Sequence, residues 1–309
     1  MFGRRAVVVF VMLAGPAVLA GCGRASADDA GRVSVVANFY PVEFLARRIG
    51  GGAVTVTNVT PPGTEPHDLA LDGKAAAALT DAQVVFYLGG GFQPDVQRAV
   101  AALPAAVRRT DLLSATGMTL LPAPTVLGKQ ALAGGKDPHV WLDPSRMKSM
   151  AEAVADTYAQ ADPARASLYR ANLSALSRDL DGLDATLRAD VTDCRERTVV
   201  TSHAAFGYLA ERYGLRQAPI AGLSPDAEPD AQTLAEIVKA ARDAGVGTVF
   251  FEEALPPRLA ETVAAAIGAR VDLLAALEFD PGKAIGDGQD YLSVMRANGQ
   301  RLHAGLGCR

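Results

Sequence analysis

The chain is expected to be α/β: two lobes, each a parallel sheet covered by helices, joined by one long rigid connecting helix. Three observations lead there. Short apolar runs alternate with helical patterns from residue 33 to the C-terminus, and strands alternating with helices build parallel sheets covered on both faces. Strand ends are followed by Pro- and Gly-rich loops, which punctuate one element from the next. Between the two sets of alternating elements runs a single apolar seam, Tyr169, Leu173, Leu176, Leu180, Leu183 and Leu187, spaced by fours and threes. That spacing puts all six on one helical face reaching to about Val191, roughly forty ångströms at 1.5 Å per residue.

In the first lobe, residues 33–37 read as a buried strand, 44–49 as helix and 54–59 as a second strand. The loop Thr60-Pro-Pro-Gly-Thr-Glu-Pro-His67-Asp68 follows, stiffened by three prolines. A helix is expected over 73–81, a strand over 84–88, and a helix from Pro94 to Leu103. The glycines 89–91 between them lack the spacing and the Lys-Ser or Lys-Thr of a phosphate cradle, so they read as a turn. Residues 122–136, rich in Pro, Gly and Ala, read as a surface loop. Helix is expected over 145–161, capped by Asp143 or Ser145, and Asp162-Pro163 marks the start of the connecting helix.

In the second lobe, strands are expected at 198–202, 217–220, 248–251 and 270–274. Helices are expected at 206–213, 231–244, 257–267 and 290–306. The implied division is 33–161 for the first lobe, 162–192 for the connecting helix and 193–309 for the second lobe.

Composition narrows the function. Of 309 residues 49% are apolar and 21% charged, with a formal net charge of -4. This is a globular protein with no clustered Lys and Arg, which argues against nucleic acid. Arg4 and Arg5 precede an apolar run from Ala6 to Leu19, the length of a signal-peptide core and short for a membrane span. Residues 1–21 are therefore an expected export signal. The run ends Leu19-Ala20-Gly21-Cys22, which resembles the lipobox of bacterial lipoproteins and implies lipidation at Cys22, with residues 22–32 as a flexible tether. The expected location is extracytoplasmic, anchored to the cell membrane. Cys194 and Cys308 remain, an even pair in an exported chain. They either form a disulfide tying the C-terminus to the start of the second lobe or stay separate buried thiols.

The chemistry lies in the histidines. Asp137-Pro138-His139-Val140-Trp141-Leu142-Asp143-Pro144 holds the only Trp and has a Pro near each end. Pro fits neither a helix interior nor a central strand, so this segment is a rigid turn that aims an imidazole. His67 sits on the Pro-stiffened loop and His203 follows the strand at 198–202. Binding sites in such sheets lie beyond the carboxyl ends of the strands, which is where His67 and His203 fall. Three imidazoles converging from both lobes would bind zinc. The fourth histidine, His303, reads as a surface residue. Three His and a water is also the ligand set of a zinc hydrolase, for which Glu252 or Glu253 could be offered as general base, although the expected role of both is to support a ligand or to lie at the surface. Capture of a metal without covalent chemistry is the preferred reading.

Taken as a set, the lipobox, Pro62-Gly-Thr-Glu-Pro-His67-Asp68, Asp137-Pro-His-Val-Trp-Leu-Asp-Pro144, Ser202-His203-Ala-Ala-Phe-Gly-Tyr-Leu and Tyr291-Leu-Ser-Val-Met-Arg-Ala-Asn298 resemble the zinc and manganese solute-binding lipoproteins of bacterial metal ABC transporters. The resemblance implies a monomer with its metal held between two lobes by His67, His139 and His203, delivered to a membrane permease driven by an ATPase. A histidine rather than a carboxylate at 203 favours Zn2+ over Mn2+. The family's fourth ligand is usually an Asp directly after the strand near the C-terminus, and here that position is Ala275. Glu278 or Asp280 could supply the carboxylate, or a water fill the place; the expectation is Asp280. Residues 122–136 also lack the histidine-rich loop frequent in zinc members.

Overall fold

The structure, a computed structural model, describes residues 31–115, 118–123, 125–126, 129–130, 135–223, 229–253 and 256–309. The expected signal peptide, Cys22 and most of the tether lie outside them. The first sheet is formed by β1 (Val33–Ala37), β2 (Val54–Asn58), β3 (Val84–Tyr87) and β4 (Arg108–Asp111), in the order β2-β1-β3-β4. All its pairs are parallel, with Val35 facing Val56 on one side and Val84 on the other. Its connections are α1 (Tyr40–Gly50), α2 (Gly73–Asp81) and α3 (Pro94–Ala101). Two short antiparallel strands, β5 (Thr125–Val126) and β6 (Lys129–Gln130), lie in the segment expected to be loop throughout.

The middle of the chain is helical. α4 (Pro144–Ala161) is capped by Asp143, whose carboxylate accepts from the Ser145 backbone N–H. A 3-10 turn, Pro163–Arg165, leads into α5 (Ala166–Asp190), 25 residues or about 37 Å long. Asp162 holds this junction by accepting from the Arg165 guanidinium and the Tyr169 hydroxyl rather than by capping the backbone. The seam is buried at Tyr169, Leu176, Leu180, Leu183 and Leu187, and Leu173 packs at its edge.

The second sheet contains β7 (Thr198–Thr201), β8 (Arg216–Pro219), β9 (Thr248–Phe251) and β10 (Arg270–Leu273), in the order β10-β9-β7-β8, again all parallel. Its helices are α6 (Gly207–Tyr213), α7 (Ala231–Asp243), α8 (Arg258–Ile267), the single turn α9 (Pro281–Ala284) and α10 (Tyr291–Leu306). The Cys194–Cys308 disulfide ties the end of α10 to the chain entering β7.

The period-2 alternation of strand side chains explains how both sheets are covered on two faces. Val35, Ala37, Val84 and Phe86 point into one core together with Val199 and Phe250. Val36 and Val85 point the other way, under α2 and α3, and Val200 and Val249 do the same under α7 and α8. The inner core is continuous across both sheets through α1, α4, α5 and α10. Gly299 of α10 lies so close to α5 that a Cβ there would stand 2.7 Å from Leu187 Cδ2 and closer still to the Asp190 carboxylate. His303 was expected at the surface. It is half-buried, and its Nδ1–H donates to the Asp190 carbonyl at 2.8 Å, which fastens α10 to the end of α5.

Candidate metal centre

Each sheet changes connection direction next to its first strand, and the site lies beyond the carboxyl ends on both sides. His67 comes from the loop after β2, His203 follows β7, and the chain after β10 adds a carboxylate, Glu278. His139 comes from the turn before α4, where Val140–Leu142 form one turn of 3-10 helix. The structure brings the three expected histidines together with Glu278, with one ligand atom of each lying within 4.8 Å of all the others. His139 and His203 are fully buried, Glu278 is 2% exposed and His67 8%.

The geometry is close to symmetric about one oxygen. Glu278 Oε1 lies 3.3 Å from His67 Nε2, 3.2 Å from His139 Nε2 and 3.3 Å from His203 Nε2. Four ligands held about 2.0–2.1 Å from zinc at tetrahedral angles would stand about 3.3 Å apart. Among the described residues, buried His139 Nε2 has no hydrogen-bond partner.

Asp280 is not in this cluster. Its carboxylate caps α9 by accepting from the Gly282 backbone N–H at 3.0 Å and faces Lys283 at 3.5 Å. It lines a cavity of about 170 Å³ beside Glu278. The physical reason is the path of the chain after β10: Ala275, Ala276, Leu277 and Glu278 are all buried, and the chain has turned outward by Asp280. Of the two candidate carboxylates it is Glu278, not the expected Asp280, that lies beside the three imidazoles.

Each ring is aimed by groups around it. Asp137 Oδ1 accepts from both the backbone N–H of His139 at 2.9 Å and its ring Nδ1–H at 2.8 Å. That places the proton on Nδ1 and leaves the Nε2 lone pair facing the cluster. Asp-Pro-His is an Asx-turn sequence, in which the carboxylate accepts from the residue two further on, so this contact was readable in principle. Glu252, after β9, does the same for His203: one oxygen accepts from its backbone N–H at 3.0 Å and the other pairs with ring Nδ1. Of the roles open to Glu252 in the sequence, support of a ligand is the one its contacts match, since its carboxylate is engaged by His203 rather than free to act as a general base. Nothing local in the sequence links residues 203 and 252, since the contact exists only because β7 and β9 pair.

The His67 loop is held differently. Its ring packs edge-on to Phe92, centroids 4.6 Å apart, and Phe92 also contacts Phe39 and Trp141. A buried polar chain fixes the start of the loop: Asn38 donates to Gln93, Gln93 to the Thr60 hydroxyl, and that hydroxyl to the Asn38 carbonyl. The turn at glycines 89–91 thus delivers Phe92 and Gln93 to the loop.

Charge follows from these contacts. Burial lowers the proton affinity of His67, and Glu278 only partly offsets it. Burial acts on His139 and His203 too, but is outweighed, at His139 by the hydrogen bond and charge of Asp137 and at His203 by the charges of Glu252 and Glu278. Both histidines are raised, His203 strongly. Burial alone would raise Glu278, but the charges of His203 and His67 hold it well below the usual carboxylate range.

Comparison with known proteins agrees with the architecture. The family model described as zinc-uptake complex component A, periplasmic (ZnuA), matches residues 35–305. The zinc-binding protein AdcA of Streptococcus pyogenes is 32% identical over 288 residues, covering 88% of this chain and 56% of that protein. The chain thus spans about half the length of the streptococcal relatives it matches. The high-affinity zinc uptake system protein ZnuA of Bacillus subtilis is 30% identical over 302 residues, covering 94% of both chains. The crystal structure of the Zn(II)-bound ZnuA-like domain of Streptococcus pneumoniae AdcA superposes with a TM-score of 0.76 at 31% identity, covering 89% of this chain and 99% of that one. With the match running through both sheets and the helix between them, the chain belongs to the ZnuA family of periplasmic zinc-uptake components.

Proposed function

We propose that the chain captures Zn2+ through His67, His139, His203 and Glu278 and delivers it, as the extracytoplasmic solute-binding component of an ABC transporter, to a membrane permease driven by an ATPase. The observation that carries the reading is the set of three near-equal separations, 3.2–3.3 Å, between one Glu278 oxygen and the three Nε2 atoms. They match three of the six edges of a tetrahedron of zinc's size. Three imidazoles and one carboxylate suit zinc better than manganese, which favours oxygen ligands. A carboxylate in the fourth position leaves no open place for a catalytic water, so a binding protein fits better than a hydrolase.

Anchoring through a lipidated Cys22 belongs to the same proposal. It is supported by the lipobox residues and by a relative named the zinc-binding lipoprotein AdcA of Streptococcus pneumoniae. Among the described residues no helix is long and apolar enough to cross a membrane. The division into 33–161, 162–192 and 193–309, and the monomeric state, are proposed on the same footing.

Competitive titration of the soluble chain from residue 23 with zinc and manganese tests the reading. One-to-one zinc binding is expected, weakened at least about a hundredfold in His139→Ala and in Glu278→Ala and within about threefold of wild type in Asp280→Ala. Loss in Asp280→Ala with Glu278→Ala unaffected would overturn the ligand set, and no saturable zinc binding would overturn the function.

A further inference from the structure

The fourth ligand is reached by an unusual piece of backbone, and the groups around that backbone have no role in the site as described so far. Ala275, Ala276 and Leu277 run from the end of β10 to Glu278 fully buried or nearly so. Their peptide groups are held by side chains from three separate elements. Asn298 of α10 donates its amide to the Ala275 carbonyl at 2.8 Å and accepts the Ala275 N–H at 2.9 Å. The Trp141 indole N–H donates to the Ala276 carbonyl at 2.8 Å. Glu253 places one oxygen on the Ala276 N–H at 2.8 Å and the other on the Leu277 N–H at 2.6 Å.

At the end of this run Leu277 adopts φ +60°, in the left-handed region. A non-glycine residue holds such a conformation only where its surroundings impose it. The reversal at Leu277 turns the next side chain, Glu278, toward the three imidazoles. A carboxylate whose two oxygens accept from two successive backbone N–H groups is suited to imposing it, because it fixes the two peptide planes on either side of Ala276 that lead into the reversal.

We infer that Glu253 is a positioning residue for the metal carboxylate: by gripping the Ala276 and Leu277 N–H groups it holds Leu277 left-handed and so aims Glu278 at the cluster. The device also accounts for Ala275. With the carboxylate delivered three residues further on, position 275 needs only a side chain small enough to lie buried while Asn298 clamps its backbone. The inference rests on the ligand set proposed above.

The test compares wild type with Glu253→Gln, Leu277→Ile and Glu278→Gln in the same chain, using zinc competition and the visible spectrum of bound cobalt(II). Glutamine keeps the size of Glu253 but turns one acceptor into a donor facing a backbone N–H. Isoleucine keeps the volume of Leu277 but carries the β-branched Cβ least tolerant of positive φ. Zinc affinity is expected to fall about tenfold in both, with the cobalt spectrum moving toward that of Glu278→Gln. A Glu253→Gln protein with wild-type affinity would overturn the inference. So would one with weakened affinity but an unchanged cobalt spectrum, since that is the mark of a merely structural role. Wild type failing to bind zinc, or Glu278→Gln matching wild type in affinity and spectrum, would instead overturn the ligand set itself.

Discussion

Replacing Asp137 separates two contributions to the aim of His139, because both of its hydrogen bonds to that residue end on a single oxygen. Asp137→Asn can keep both bonds with the amide oxygen at Oδ1 and loses only the charge. Hydrogen bonds to a charged acceptor contribute about 1.5–3 kcal/mol and neutral ones about 0.5–1.5, so the loss is about 1 kcal/mol, a factor of about five in zinc affinity. Asp137→Ala removes the acceptor. The ring is then free to turn, which costs about 10–100-fold in affinity. The buried His139 N–H is left unpaired as well, at about 1–3 kcal/mol of stability in the metal-free protein. The assay is competition against a chromophoric chelator at pH 8, where protons compete less for the imidazoles, with thermal melting of the metal-free chains alongside. Asn as damaging as Ala, or Ala within about threefold of wild type, would refute the argument that this carboxylate orients the ring.

Gly207→Ala is expected to weaken zinc binding although it touches no ligand: its Cβ would stand 2.7 Å from Asp137 Oδ2 and push that carboxylate off the His139 ring, which calorimetric titration would read. Phe92→Ala empties a fully buried site against His67, Phe39 and Trp141. It is expected to cost about 3–5 kcal/mol, or roughly 10 °C in melting temperature, and to weaken zinc binding by loosening the His67 loop. The pH dependence has a definite sign. His139 and His203 are raised, so above pH 6.5 the folded metal-free chain holds protons that the unfolded chain has released. Its stability must therefore fall as pH rises from 6.5 toward 8. Zinc displaces the same protons from the histidines, so the zinc-induced rise in melting temperature should grow over that window; a metal-free melting temperature that climbs from pH 6.5 to 8 would contradict these charge assignments.

What the sequence by itself determined is set by short-range rules. The seam of α5 is a repeat of threes and fours that one helix must bury. The strand-then-proline pattern put His67 on a loop, and Asp-Pro-His-Val-Trp made a turn around His139. These features depend on neighbours a few residues apart. β4 escaped notice because its residues, Arg108–Asp111, form an edge strand with exposed arginines and no apolar run. Its strand character comes from pairing with β3. Only the tertiary structure places Glu278, rather than Asp280, beside the three imidazoles. The chain reaches Glu278 through a left-handed Leu277 at the end of a run, residues 275–277, whose peptide groups bond Asn298, Trp141 and Glu253, residues 21 to 136 positions from Leu277 that only the packed fold brings there. The pairing of His203 with Glu252 likewise exists because parallel strands 49 residues apart end side by side. Local pattern determines which residues face inward, but the aim of a ligand follows from backbone angles and buried hydrogen bonds supplied by distant elements.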